Sequence, residues 1–332
     1  MIKNMTLDQK IGQMLIVYYN SDTYDSVLGS VIKNINPGGF ILFANNIAND
    51  NQLKGFINGM QEDSNIPMFI TIDQEGGLVQ RLKPIEDIKV QTIPAMATII
   101  DDASAFEIGK AIGKDLSTYG INMNYAPVLD INMNEENTVI SSRSFSNNPH
   151  IVSDLGLAVA RGLKEYNIMP VFKHFPGHGS TVTDPHYDLP VLNKTKQELY
   201  QHELIPFINA INNNADVIMI GHIAVPELTG DDTPASLSKE VITNLLKGEL
   251  GFKGLVITDA LNMGALTNNY SSDEIIIKAI NAGTDILLMP GSSKKTIEKI
   301  KIALAKKQIS EVQIEESVRK ILKLKFKMDM LN

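Results

Sequence analysis

Between Val171 and Pro190 the chain concentrates groups that can move protons or grip polar ligands: Lys173, His174, His178, Asp184, His186 and Asp188. His202 follows closely, so four of the six histidines fall in or near this stretch. It opens as an apolar run and breaks into a polar loop. Titratable groups gathered at the end of an apolar strand point to a site. Asp184-Pro185-His186 sets a carboxylate two residues from an imidazole. Such a neighbour orients the ring and favours the imidazolium, giving a proton donor that can later act as a base.

Three hydrolytic chemistries could use these groups. For a metal site, His174 and His178 have a four-residue spacing, but Pro176 and Gly177 between them prevent a shared helix face, and no His-x-His pair occurs. For Ser/His/Asp catalysis, the Gly-x-Ser-x-Gly elbow is missing. Glycoside hydrolysis needs a nucleophilic carboxylate and a separate proton donor. Asp259, at the end of the apolar run Leu255–Thr258, suits the first role, and His186 held by Asp184 suits the second.

The elements that must position these groups repeat a pattern. Apolar runs at 14–19, 40–44, 68–72, 121–130, 170–175, 217–220, 255–258 and 286–289 alternate with helical periodicity. Short continuous apolar runs between helices predict parallel strands buried on both faces. Eight such units predict an α/β (β/α)₈ TIM-type barrel forming a single domain over residues 1–332, with a doubly wound open sheet as the rival. Thr6-x-x-Gln9, Thr195-x-x-Glu198, Ser271-x-x-Glu274 and Ser310-x-x-Gln313 are capping boxes that should open helices. One continuous helix is expected from Thr195 to about Asn212.

Asp73, Asp130, Lys173 with His174, His222 and Asp259 all fall at predicted strand ends. In a barrel these ends converge on one face, where active sites of this fold lie. An Asp after a strand also commonly caps the next helix. For Asp130 and His222 the bland and functional readings weigh equally.

Bulk properties narrow the partners. The formal charge is −8, from 30 basic and 38 acidic residues, which gives no support to nucleic-acid or anionic-membrane binding. Without cysteine there is no disulfide or thiolate chemistry. No run approaches a membrane span and no signal peptide opens the chain. A cytoplasmic monomer is expected; a secreted form trimmed of its leader would read the same.

At these residues the chain resembles the β-N-acetylglucosaminidases of glycoside hydrolase family 3. The resemblance is carried by Lys173-His-Phe-Pro-Gly-His-Gly179 with Asp184-x-His186, by Asp73-Gln-Glu-Gly-Gly77 with Gln80-Arg81, by Ser142-Arg-Ser-Phe145, and by Thr258-Asp-Ala-Leu-Asn-Met263. Met5–Leu15 and Ala282–Pro290 look similar too, so it covers nearly the whole chain. It implies a barrel and a retaining mechanism through a glycosyl-enzyme, with Asp259 as nucleophile and His186 as acid/base assisted by Asp184. It implies that Asp73, Arg81, Arg143, Lys173 and His174 bind the sugar, while His178 shapes the loop. The implied substrates are N-acetylglucosaminyl glycosides, either peptidoglycan (muropeptide) fragments or chitooligosaccharides, with no cofactor and no metal.

Three positions depart from the family pattern. Leu78 and Ser180 stand where many members have Arg and Asp, and Pro185 replaces the Ser of Asp-Ser-His. None removes a catalytic group. Many β-glucosidases of the family carry the acid/base on a second domain, for which the chain leaves no room. Retention of Asp-x-His therefore favours the N-acetylglucosaminidase branch over a β-glucosidase, a β-xylosidase or a non-catalytic sugar binder.

Overall fold

The structure, a computed structural model, describes residues 2–82, 92–134 and 136–331. Eight strands form it: β1 (Leu15–Val17), β2 (Gly39–Leu42), β3 (Phe69–Ile72), β4 (Met123–Asn124), β5 (Met169–Phe175), β6 (Val217–Ile220), β7 (Leu255–Thr258) and β8 (Leu287–Leu288). All pairings are parallel and follow chain order, and β1 pairs with β8. A parallel bridge between Ile257 and Ile286 closes the ring between β7 and β8. A closed ring in sequential order is the (β/α)₈ barrel, and it excludes the open doubly wound sheet.

Every strand residue is buried. That explains why the strands read as continuous apolar runs: the barrel interior covers one face and the helices cover the other. All four capping boxes form as their sequences predict. No helix among the described residues is long and apolar enough to cross a membrane.

Two elements differ from the sequence reading. The expected fourth strand pairs regularly only over Met123–Asn124, with one further bridge from Val128 to Lys173. Pro127 has no N–H to give to a ladder, which breaks the run. The helix expected from Thr195 to Asn212 is two helices, Lys196–Gln201 and Ile205–Asn212. Pro206 removes one helical donor and its ring crowds the carbonyl four residues back, so the chain breaks at His202 and restarts. Part of the long connection expected after β3 lies outside the described residues.

Candidate active site

The C-terminal ends of the strands surround a cavity of about 530 Å³, lined by Asp73, Arg81, Arg143, Lys173, His174, His186 and Asp259 among others. Seven of the eight predicted site residues meet here. The eighth, Asp184, stands behind His186. His202 does not join them; it lines a different polar cavity together with His150.

Local backbone explains how β5 delivers two adjacent side chains. Its pairing with β6 is regular to Phe172, slips, and resumes at Phe175 opposite Ile220. Lys173 and His174 lie in the slip, and such irregularities re-aim side chains beside sites. The Lys173 Nζ lies 2.7 Å from Asp73 Oδ1 and 2.6 Å from Glu75 Oε1. Arg143 reaches the same Glu75 through two parallel bonds of 2.8 Å, the strongest geometry available to such a pair. Glu75 and Lys173 are each only 2 % exposed. Burial opposes ionisation of Glu75, but the Arg143 and Lys173 charges outweigh it and hold the carboxyl well below its usual range. Burial likewise opposes the Lys173 charge, and Asp73 and Glu75 overcome it. Arg81 lies 3.6 Å from Asp73 and over the ring of Phe43, which itself packs edge-on against Tyr18.

Asp130 and His222 resolve as supports of the site, and neither caps a helix. Asp130 is fully buried; it accepts from the His174 ring Nδ1 at 2.6 Å and from the backbone N–H of His178 at 2.7 Å. Burial raises its pKa, and the nearby His174 and His178 more than reverse that. With Nδ1 committed, Nε2 is the remaining polar atom of His174. His178 is buried, with Nδ1 bonded to Thr181, and burial pushes its pKa down. Gly179 ends the motif where any Cβ would lie 1.7 Å from the Ile131 carbonyl, so only glycine lets this loop press against the chain following Asp130.

His222 is buried between Ser236 Oγ, 2.7 Å from Nδ1, and the Ala260 carbonyl, 2.9 Å from Nε2. A carbonyl only accepts, so Nε2 carries the proton; burial favours the neutral ring. His222 thereby pins the residue after Asp259, whose own N–H donates to Asp259 Oδ1 at 2.7 Å. Burial raises the Asp259 pKa; the surrounding imidazole rings, that N–H and Lys173 draw it below the ordinary carboxylate value. Asp259 is therefore ionised at neutral pH.

The Asp184–His186 pair spans Pro185 with Nδ1 2.8 Å from Oδ1, and the same oxygen accepts the His186 backbone N–H at 2.9 Å. Burial opposes ionisation of Asp184, but these His186 contacts draw its pKa down. The pair is the most open part of the site, with the His186 side chain 69 % exposed.

Sequence reading missed two contributors. Glu75 stood inside a quoted motif but received no role; only the fold shows that Arg143 and Lys173 share it. Tyr125 lines the cavity fully buried, beside Thr71, and burial pushes its hydroxyl pKa well up. Its place inside the predicted strand 121–130 gave no signal of that.

The glycosyl hydrolase family 3 N-terminal domain model matches residues 6–324. The chain belongs to glycosyl hydrolase family 3. The beta-hexosaminidase A of Pseudoalteromonas piscicida is 33 % identical over 98 % of this chain and 62 % of its own length. A beta-hexosaminidase of Tolumonas auensis is 33 % identical over 78 % of the chain and 77 % of its own. The solved family 3 beta-N-acetylglucosaminidase of Paenibacillus sp. str. FPU-7 superposes with a TM-score of 0.93 at 35 % identity, covering 98 % of this chain and 63 % of that one. The chain thus spans about three fifths of the length of the first and third of these relatives.

Proposed function

We propose that the chain is a retaining exo-β-N-acetylglucosaminidase that removes terminal N-acetylglucosamine from peptidoglycan fragments or chitooligosaccharides. The reading rests on one juxtaposition: an ionised, N–H-anchored Asp259 and an exposed His186–Asp184 pair bordering the same cavity. The relatives named beta-hexosaminidase and beta-N-acetylglucosaminidase support the choice of sugar.

In this mechanism the Asp259 carboxylate attacks the anomeric carbon while His186 gives a proton to the leaving oxygen. A glycosyl ester on Asp259 results. His186, now neutral, takes a proton from water as that water attacks the same carbon, releasing the sugar and restoring both groups. Asp184 fixes the ring's orientation through Nδ1, leaving Nε2 to face the substrate. Asp73, Arg81, Arg143, Lys173 and His174 hold the sugar: Asp73 accepts from hydroxyls and the cations donate. In the form we propose, the barrel described above carries the site and acts as a cytoplasmic monomer without a cofactor.

The test is mass spectrometry after incubation with a fluorinated N-acetylglucosamine-type inactivator. A stable adduct on Asp259 is expected, together with loss of aryl N-acetylglucosaminide turnover in Asp259→Ala. Near-normal turnover in that variant would sink the assignment. A preference for aryl glucoside over aryl N-acetylglucosaminide would move it to the β-glucosidase branch.

A further inference from the structure

The loop that carries His186 leans on the segment that carries Asp259. Three successive carbonyls make the contact. Pro185 O accepts the Ala265 N–H at 3.0 Å, His186 O the Gly264 N–H at 3.3 Å, and Tyr187 O the Asn268 side-chain amide at 2.8 Å. The approach is close enough to exclude a side chain. A Cβ on Gly264 would lie 2.5 Å from the His186 carbonyl oxygen and 2.9 Å from that of Tyr187. Both are backbone atoms and cannot swing away. Among the described residues the His186 ring is hydrogen-bonded to Asp184, two residues away on the same loop. Its position relative to Asp259 is therefore set by this backbone seam.

We infer that Gly264 is a positioning residue for the proton donor: its missing side chain lets the β5 loop seat on the β7 segment, fixing His186 and Asp259 in one frame. Misplacing a catalytic group by about 1 Å can cost about 10²-fold in rate, so a small displacement of this seam is consequential. The inference rests on the reading of His186 as proton donor.

That dependence chooses the experiment. Gly264→Ala, Asn268→Ala and His186→Ala are compared by kcat/KM on a dinitrophenyl N-acetylglucosaminide, whose leaving group needs no proton, and on the disaccharide of N-acetylglucosamine, whose leaving group does. Gly264→Ala is expected to lose at least ~10-fold more on the disaccharide, within the ~10²–10⁴-fold range of general acid catalysis. Asn268→Ala, which inserts nothing, should show the same bias more weakly; it carries the test if Gly264→Ala does not fold. Equal loss on both substrates in Gly264→Ala and Asn268→Ala, with His186→Ala keeping its bias, would overturn the positioning role. If His186→Ala itself lacks the bias, the proton-donor reading fails instead, and the inference with it.

Discussion

Glu75 holds two cations at once, Arg143 and Lys173, and is itself almost completely buried. Removing one member of a buried charge cluster leaves the others unpaired, which costs about 3–5 kcal/mol. Glu75→Gln keeps the shape and removes the charge. Calorimetry should record a clear drop in Tm, and KM for an aryl N-acetylglucosaminide should rise more than kcat falls, because Arg143 and Lys173 lose their alignment. A variant with unchanged Tm and KM would show that the cluster organises nothing. Residues of this kind mark the limit of sequence reading. Asp259 and Lys173 stood out in the sequence by their types at strand ends, and His186 by its pairing with Asp184 in the loop. Glu75 and Tyr125 matter through what surrounds them, and the partners of Glu75 lie 68 and 98 residues further along the chain.

At the scale of elements, strands were the most legible feature. β6 and β7 have the limits their apolar runs predict, since no proline or polar residue interrupts them. β4 and the split helix were misjudged where a proline overrides apolar periodicity. The loop from β5 to the helix at Lys196 was legible as a site but not as a clamped structure. Its two ends meet at buried Glu203, whose Oε1 accepts from Ser180 Oγ at 2.7 Å and pairs with Lys194 Nζ at 2.5 Å. This accounts for the departure at Ser180. The aspartate carried there by many family 3 members would set a second carboxylate against Glu203, and like charges at hydrogen-bond distance repel. Ser180→Asp should therefore cost at least ~1 kcal/mol in denaturant unfolding. Much of that cost should vanish in the Glu203→Gln background, as expected for directly coupled neighbours. Additive effects in the double variant would separate the two positions and leave Ser180 without an account.

For the molecule as a whole, the barrel has two unlike ends. The catalytic end gathers charges that neutralise one another. At the opposite end Lys325, from the C-terminal helix Glu311–Lys327, is buried completely with far less help. Its Nζ donates to Gln13 Oε1 at 2.8 Å and sits 5.0 Å above the Phe69 ring, with no carboxylate among its described partners. Burial pushes its pKa down to about 7 from an ordinary value near 10.5. The sign of the effect on stability follows. Between these two values the unfolded chain binds a proton that the folded protein does not, so stability rises with pH across that window. Below about pH 7 the charged ammonium must stay in the barrel floor and its full penalty applies; above about pH 10.5 both states are neutral and the penalty is gone. Lys325→Met keeps the bulk and removes the charge, at the lesser cost of an unpaired Gln13 oxygen. The variant should melt several degrees above the parent at pH 6, and the gap should narrow steadily as the melts are repeated toward pH 10. A gap that stays constant with pH would assign the difference to packing and not to the buried charge. Activity toward a dinitrophenyl N-acetylglucosaminide should be unchanged at either pH, because Lys325 lies at the far end of the barrel from Asp259.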